Sequence, residues 1–256
     1  MIKKIEKLSV IIIAKDAEEE IVDALFSAKF ADEIIVVDGG SEDRTVDIAK
    51  KEGAEVFEHV SADFSDMRNF GLQKAKGEWV LYVDTDERVT PELASSITHQ
   101  IIRRKDDKIV AFKIKRKNFY LGKHEWPYVE DMERLFLRKR LKEWQGKLHE
   151  TPIFDGKIGQ LDGFLFHYTH RDLSSMLKKT IIWSKTEAEL RLKANHPKMT
   201  WWRFPRVMMS AFLDSYIRQG GWKAGAAGLI ESVYQSFSMF ITYAKLWELQ
   251  QKKSEK

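Results

Sequence analysis

The sequence predicts an α/β protein, in which a mostly parallel, twisted sheet is flanked by helices and followed by a helical C-terminal extension. Apolar, β-branched runs alternate with helical segments through the first third of the chain, and this alternation is typical of βαβ units. The links between these segments are short, as in a parallel sheet. Beyond Arg171 the hydrophobic pattern has a helical period and no strand pattern is found.

The first predicted strand is Leu8–Ala14, whose continuous β-branched run is typical of a strand buried on both faces. Three more strands are predicted in the first third of the chain: Glu33–Val37, Ala54–Phe57 and Trp79–Val83. One helix is predicted in each connection: Glu18–Phe30, Asp43–Glu52 and Asp66–Lys76. A helical crossover in each connection makes these strands parallel.

After Pro91 the pattern changes. A helix is predicted over Pro91–Arg104, and the strands that follow it are Ile109–Lys117, Arg134–Arg138 and the end of a glycine-rich segment, Phe164–His170. Two helical stretches come last, Leu173–Leu192 and Trp201–Gln250. A break is predicted between them near Asn195–Pro197, and a second break within the later stretch at Gly220-Gly221. We therefore predict an α/β domain over residues 1–170 and a helical region over residues 171–256.

Composition limits the class of protein. Of the 256 residues, 43% are hydrophobic and 32% are charged, which is the balance of a folded chain. The absence of cysteine excludes a disulfide framework and a thiolate metal site, and it is compatible with the cytoplasm. The apolar run at Leu8–Ala14 is too short for a secretory or spanning segment. A net charge of +4 specifies no partner by itself.

The stretch Val80–Glu87 carries the strongest chemical signal. An apolar strand stops at two carboxylates, Asp84 and Asp86, whose side chains point to the same side of an extended chain. They repel each other unless a cation lies between them, and carboxylate oxygens suit Mg²⁺ or Mn²⁺, with substrate phosphates completing the shell. The alternative is a solvated acidic loop after a strand.

Polar residues follow three of the predicted parallel strands. They are Ala14-Lys15-Asp16, Asp38-Gly39-Gly40 and Asp84-Thr85-Asp86. The carboxyl ends of parallel strands meet at one edge of a sheet, which is where α/β proteins bind ligands. The three segments are therefore expected to converge on one site.

Several motifs follow one another in order along the chain: Ser9-Val-Ile-Ile-Ile-Ala-Lys-Asp, Val36-Val-Asp-Gly-Gly-Ser-Glu-Asp-Arg-Thr-Val, Met67-Arg-Asn-Phe-Gly-Leu, Ala75-Lys-Gly-Glu-Trp-Val and Val83-Asp-Thr-Asp-Glu. With them the chain resembles the inverting glycosyltransferases of family 2, which have the GT-A fold. Within that family it is most similar to the lipopolysaccharide-core β-glucosyltransferase (WaaE-like) group, which Arg134-Leu-Phe, Leu148-His-Glu and Phe164-Leu-Phe-His also fit. The resemblance is strong over residues 8–170.

The resemblance implies a nucleotide-sugar donor, with UDP-hexose favoured, and Mg²⁺ or Mn²⁺ as cofactor. It implies a membrane-associated glycan acceptor such as lipopolysaccharide core, and a peripheral position on the cytoplasmic face of the inner membrane. A homo-oligomer is left open, and no nucleic-acid partner is expected.

For the donor, the resemblance assigns Asp38 to the uracil or ribose, beside Gly40, and Ala14, Lys15 and Asp16 to the base pocket. The family often has Asn where this chain has Asp16. Arg68 and Asn69 face the same edge, and Arg68 can clamp ribose or diphosphate with its planar guanidinium. The alternatives are a turn-capping role for Asp38 and a surface salt bridge for Arg68.

For the chemistry, the resemblance assigns Asp84 to ribose or a metal-bound water, and Asp86 and the late His167 to the metal. An inverting reaction needs one base, and Glu150 holds the family's acidic position. Glu130 and Asp131 are the alternatives for the base. The non-catalytic interpretations are a helix-start carboxylate for Glu150 and a hydrogen-bonded structural role for His167.

The C-terminal region mixes aromatic and basic residues, as in the segment Trp201–Met209. Amphipathic helices of this kind can lie on an anionic bilayer surface; packing against the α/β domain or a partner subunit is the alternative. The related group often has Gly-x-x-Asp-Gly where this chain has Gly221-Trp-Lys-Ala-Gly225, so Ala224 departs from the pattern and leaves the acceptor type open.

There are three alternatives to a glycosyltransferase that acts on a membrane-associated glycan. A polyprenyl-phosphate glycosyltransferase of the same fold would use Arg116, Lys117 and Lys123 at the acceptor mouth. A nucleic-acid-binding protein would explain the basic, aromatic second half, but carboxylates at the strand ends would repel phosphate. A scaffold without activity is disfavoured by the presence of Asp38 and the other acidic residues at this edge.

Overall fold

The computed structural model describes residues 7–61, 63–102, 108–146, 150–169 and 171–254. Three sequence predictions fall partly on residues outside these ranges. They concern the helix end at Arg103-Arg104, the motif residues Leu148 and His149, and His170.

An eight-stranded sheet organises the first two thirds of the chain, in the strand order β3-β2-β1-β4-β7-β6-β10-β5. Its strands are β1 (Leu8–Ala14), β2 (Glu33–Asp38), β3 (Glu55–Glu58), β4 (Trp79–Asp84), β5 (Glu87–Val89), β6 (Ile109–Tyr120), β7 (His124–Leu137) and β10 (Lys157–Tyr168). The first four strands are parallel, whereas β7 pairs antiparallel with β4 and β10 antiparallel with β5. The predicted α/β fold is confirmed.

Four helices accompany the sheet: α1 (Ile21–Ser27), α2 (Thr45–Lys51), α3 (Phe64–Lys74) and α4 (Pro91–Ile102). Strand β1 is buried on both faces, as its continuous apolar run predicts. Val10 and Ile12 belong to one core cluster and Ile11 to the cluster on the other face. Burial of each such side chain contributes about 1.5–3 kcal/mol, which fixes the central strands on which the site is built.

Four strands differ from the sequence prediction. The predicted strand Arg134–Arg138 is the end of the long strand β7, and β5, β8 (Leu141–Gln145) and β9 (Thr151–Phe154) were not predicted. Strands β8 and β9 form a separate two-stranded sheet. Charged residues interrupt the apolar alternation in β5 and β8, and Pro152 interrupts β9, so these short segments have no clear strand pattern of their own.

The described residues form two compact units. One lies within Met1–Lys117 and Glu130–His167, and the other within Asn118–Val129 and Tyr168–Lys256. The division of the chain between residues 170 and 171 stays a prediction.

The second unit contains the helices α5 (Leu173–Lys193), α6 (Arg203–Leu213) and α7 (Gly225–Ser254). The predicted helix breaks are confirmed: Asn195 and Gly220 both have positive φ angles, of 53° and 80°. Helix α5 starts at a capping box in which Asp172 accepts a hydrogen bond from the Ser175 amide. Within the described ranges, none of the helices combines the length and apolar content needed to cross a bilayer.

Candidate active site

The carboxyl ends of β1, β2 and β4 meet at one edge of the sheet, as expected. Ala14 lies opposite Asp38 in the register of β1 and β2, and Ile13 lies opposite Asp84 in the register of β1 and β4. The parallel pairing therefore places three segments that are far apart in sequence beside one another. Ala14 is buried, whereas Lys15 is exposed at this edge.

Asp38 and Asp16 join the loops that follow β1 and β2. Asp38 is buried, and its carboxylate accepts hydrogen bonds from the Gly40 amide (3.1 Å) and from the amide and hydroxyl of Ser41. Asp16 has a φ angle of 48° and accepts a hydrogen bond from the Glu42 amide at 2.8 Å. Gly40 has a φ angle of 83°, which a residue with a Cβ rarely adopts. The carboxylate of Asp38 therefore caps a turn, and its role toward a nucleotide donor stays a prediction.

Asp84 lies between two buried arginines. Its Oδ1 accepts a hydrogen bond from Arg68 Nη2 at 2.7 Å, and its Oδ2 accepts one from Arg134 Nη2 at 2.8 Å. Burial by itself raises the pKa of Asp84, but the charges of Arg134 and Arg68 outweigh it and hold that pKa well below its usual range. Asp84 is therefore an ionised carboxylate with both oxygens engaged.

Glu87 is a second acid in the same network and was missed as a site residue. Its side chain is fully buried and its oxygens accept hydrogen bonds from Arg116 Nη1 (3.0 Å), Arg134 Nη2 (3.2 Å) and the Asp84 amide (3.0 Å). Burial lowers the pKa of Arg116, but Glu87 and Glu130 outweigh it and raise that pKa. The sequence signal was Arg134 directly before the apolar residues Leu135, Phe136 and Leu137, because a buried arginine needs an acid beside it.

Asp86 and His167 face each other across the edge. His167 Nε2 lies 3.3 Å from Asp86 Oδ2. The antiparallel pairing of β5 with β10, which sets His167 opposite Glu87, produces this proximity. Within the part of the chain that the structure describes, no group of three or more acidic or histidine side chains is arranged to hold a metal ion. A metal here would need further ligands from water or a bound molecule.

The three candidate bases occupy different environments. Glu150 is half-buried and close enough to Arg134 for its charge to help raise the pKa of that arginine, against the opposing effect of burial. Glu130 accepts two hydrogen bonds from Arg116, from Nε at 2.9 Å and Nη2 at 2.5 Å. Asp131 is exposed, and as the neighbour of Glu130 on β7 it points to the opposite face of the strand.

Arg68 and Asn69, on helix α3, both contact other residues of the protein. The Asn69 side chain donates to the Trp144 carbonyl at 2.9 Å and accepts from the Trp144 amide at 2.7 Å. The Arg68 guanidinium lies over the rings of Trp144 and Tyr82, 5.1 and 5.6 Å from their centroids. Among the described residues, Nε and Nη1 of Arg68 have no hydrogen-bond partner. Asn69 thus fixes β8 to α3, and Arg68 holds Asp84.

A polar cavity of about 540 Å³ lies at the opposite edge of the sheet, beside the amino ends of β1, β2 and β3. Its two central lysines are paired, Lys29 with Glu52 and Lys76 with Glu55. Because these two lysines are paired and the cavity is remote from the carboxyl ends of the strands, we assign it no ligand.

The profile of Glycosyl transferase family 2 matches residues 9–159. The chain belongs to this family, and the sequence-based resemblance is confirmed at that level. The matched residues include the three strand-end segments and the Asp84–Arg134 pair.

Two relatives match over nearly their whole length. An uncharacterized glycosyltransferase of Rickettsia typhi is 28% identical over 95% of this chain and 88% of its own length. The lipopolysaccharide core biosynthesis glycosyltransferase LpsC of Rhizobium meliloti is 24% identical over 94% of this chain and 92% of its own length. Both matches extend beyond the family profile into the helical unit.

Among solved structures, glucosyl-3-phosphoglycerate synthase from Mycobacterium tuberculosis, in complex with Mn²⁺, UDP and glucosyl-3-phosphoglycerate, is 24% identical. The match covers 46% of this chain and 45% of that chain, with a TM-score of 0.37. A likeness of this extent carries no argument about the site.

Proposed function

We propose that this chain is a metal-dependent, inverting glycosyltransferase that moves a sugar, with UDP-hexose as the favoured donor, to a hydroxyl of a membrane-associated glycan. Family membership supplies the reaction class. The observation that carries the finer proposal is the Asp86–His167 pair, 3.3 Å apart at the carboxyl edge of the sheet and next to the Asp84 cluster.

The donor set of this pair fits Mg²⁺ or Mn²⁺. Two ligand atoms each about 2.1 Å from an octahedral ion lie about 3 Å apart, close to the observed separation of Asp86 Oδ2 and His167 Nε2. The carboxylate oxygen suits either ion, and the imidazole nitrogen, a softer ligand, favours Mn²⁺ over Mg²⁺. When bound, the ion supplies Lewis-acid stabilisation of the departing nucleoside diphosphate.

The nucleotide half of the donor belongs at the ends of β1 and β2. Lys15 is exposed there, and backbone of Gly39 and Gly40 can approach a ligand closely. We assign Ala14, Lys15, Asp16 and Asp38 to the base and ribose. Asn69 acts in this proposal as a support, since both atoms of its amide contact Trp144. Arg68 holds Asp84 through Nη2, and among the described residues its Nε and Nη1 have no partner and are assigned to the donor.

Glu150 is the proposed base. It removes the proton of the acceptor hydroxyl as that oxygen bonds to the anomeric carbon, and the bond from that carbon to the diphosphate oxygen breaks. Attack opposite the leaving group inverts the anomeric configuration. Glu130 is less suited because both of its bonds to Arg116 would have to break first, and Asp131 is less suited because it is on the other face of β7.

The acceptor proposal follows from the relative that functions in lipopolysaccharide core biosynthesis and matches over nearly the whole chain. We propose an acceptor of that class, reached by a protein held peripherally on the cytoplasmic face of the inner membrane. Arg116, which a polyprenyl-phosphate acceptor would need, is already paired with Glu87 and Glu130.

A titration of the full chain with UDP, GDP and dTDP tests the donor and metal together. Calorimetry is run with Mn²⁺, with Mg²⁺ and with EDTA, and UDP is expected to bind only with a metal ion present. Incubation with nucleotide-sugars should then give metal-dependent hydrolysis of one of them. If no nucleotide binds under any of these conditions, the proposed donor site is wrong.

A further inference from the structure

The most unusual surface of the second unit is one side of helix α7. Every exposed residue from Gly225 to Leu246 is apolar. Glu231 is the single charged residue between positions 224 and 244, and it is 1% exposed. We define the α7 outer face by its exposed apolar side chains: Ala226, Leu229, Ile230, Val233, Phe237 and Trp247. The exposed Glu248 lies at its end, beside Trp247.

These residues recur at helical spacing and so form one stripe. From Ala226 to Trp247 the stripe is about 30 Å long. Val233 is 53% exposed and Phe237 is 41% exposed, although both could have been buried by a neighbouring helix. An exposed apolar surface of this kind marks an interaction site.

The other sides of α7 are packed within the unit. Tyr234 hydrogen-bonds to the Met176 carbonyl on α5 at 2.7 Å, and Ser236 donates to the Met208 carbonyl on α6 at 2.9 Å. Helix α7 therefore lies against α5 on one side and α6 on another, and its outer face is not needed for that packing.

Charge distinguishes between the possible occupants. Residues 168–256 contain fifteen Lys and Arg and seven Asp and Glu. Exposed lysines of the unit include Lys223, beside Trp222 just before α7, and Lys178 and Lys185 on α5. Two copies of so cationic a unit would repel each other if these faces met, whereas an anionic bilayer would attract them.

Tryptophan at both ends supports the same occupant. Trp222 is 55% exposed and Trp247 is 42% exposed, and tryptophan prefers the boundary between lipid headgroups and acyl chains. The apolar stripe has a tryptophan at each end, and the unit that carries it has exposed lysines. Together these features match a helix that lies in the plane of a bilayer surface.

We propose that the α7 outer face docks on an anionic lipid surface, where exposed lysines of the second unit contact the lipid headgroups. This inference deepens the proposed function, on which it rests for the membrane-associated acceptor. It identifies the surface that brings the enzyme to a lipid-anchored glycan.

The test is co-sedimentation of the full chain with vesicles of phosphatidylglycerol and phosphatidylcholine, compared with vesicles of phosphatidylcholine alone. The protein is expected to partition to the anionic vesicles at least about tenfold more strongly, and less strongly as salt is raised. Equal partitioning to both kinds of vesicle, or none to either, would overturn the proposal.

The double variant V233D/F237D locates the surface. It is expected to lose at least about tenfold in partitioning, because two charges must then enter the interface. The matched control is Phe26→Asp, which places one charge on a 71% exposed aromatic of α1 and should bind vesicles like the native chain. Thermal unfolding checks that each variant is folded.

Two further outcomes separate this surface from the catalytic proposal. If V233D/F237D bound vesicles as strongly as the native chain, the docking surface would lie elsewhere and the proposal would be overturned. If the native chain formed a stable dimer and the variant were a monomer, the α7 outer face would be the interface with a second copy instead. Metal-dependent UDP binding is expected to be unchanged in the variant. Failure of UDP binding in the native chain would instead reject the donor site, leaving the vesicle result intact.

Discussion

Arg134 donates a hydrogen bond to Asp84 across the sheet, with 2.8 Å between Nη2 and Oδ2, and the same nitrogen lies 3.2 Å from Glu87 Oε1. One guanidinium thus joins the first acid of the Asp84-Thr85-Asp86 segment to a fully buried glutamate. The Asp84 carboxylate stays charged at this site because Arg134 and Arg68 are buried beside it and hold its pKa low.

Arg134→Met is expected to destabilise the protein by about 3–5 kcal/mol, because it leaves two acids without their shared cation. Urea unfolding measures the free energy. The control is Arg44→Met, at a 78% exposed arginine that pairs with Glu18, which should change the stability by less than about 1 kcal/mol. Similar losses in the two variants would contradict the role of Arg134.

Glu150→Gln is expected to lower kcat by about 10²–10⁴ while donor binding is unchanged, because the base is removed and the nucleotide contacts are retained. Steady-state kinetics with the acceptor and UDP calorimetry give the two quantities. Glu130→Gln should lower the free energy of unfolding, since it breaks the pair with Arg116. Its loss of kcat should be smaller than that of Glu150→Gln. The reverse ranking of kcat losses would make Glu130 the base.

Asp86→Asn and His167→Gln are each expected to weaken Mn²⁺ binding in the presence of UDP by at least about tenfold, since each removes one of two protein ligands. Calorimetric titration with Mn²⁺ measures the affinity. His99→Gln, at an exposed histidine on α4, is the control and should bind Mn²⁺ normally. Unchanged affinity in both site variants would reject this metal assignment.

Asn69→Ala is expected to cost about 1–3 kcal/mol of stability and leave UDP affinity unchanged, because its amide bridges the Trp144 backbone. Asn69→Asp keeps the acceptor of the bridge but sets a carboxylate oxygen against the Trp144 carbonyl, so its stability loss should be at least as large. A loss of UDP affinity without a loss of stability would instead make Asn69 a donor contact.

Glu33 should give the protein a pH-dependent stability. Burial raises the pKa of Glu33, but hydrogen bonds from the Lys76 amide and Ser9, with the charge of Lys76, outweigh it and lower that pKa below its unfolded value. Its contribution is therefore complete above the unfolded pKa of about 4.3 and is lost as the pH falls through the folded pKa.

Urea unfolding between pH 2.5 and pH 6 is expected to show a shallower acid-side loss of stability for Glu33→Gln than for the native chain, by at most about 1.4 kcal/mol per pH unit. Glu19→Gln, on the exposed turn before α1, is a control for loss of one carboxylate. Identical slopes for the native chain and Glu33→Gln would show that Glu33 has the same pKa in both states.

The parallel strands of the sheet and the protein family can both be predicted from the sequence. Leu8–Ala14 has the predicted bounds because a continuous β-branched run has one favourable environment, a strand buried on both faces. The carboxyl ends of such strands must meet, so the convergence of Asp38 and Asp84 followed from local pattern alone. The helix breaks at Asn195 and Gly220 were equally local.

Tertiary structure decided which of these polar residues contact one another. The proximity of His167 to Asp86 depends on the pairing of β5 with β10, and β5 is a three-residue strand with no hydrophobic pattern of its own. The pairing of Arg134 with Asp84 and Glu87 likewise crosses the sheet. Such contacts arise from strand register and from the need to neutralise buried charge, and neither is encoded within a short stretch of sequence.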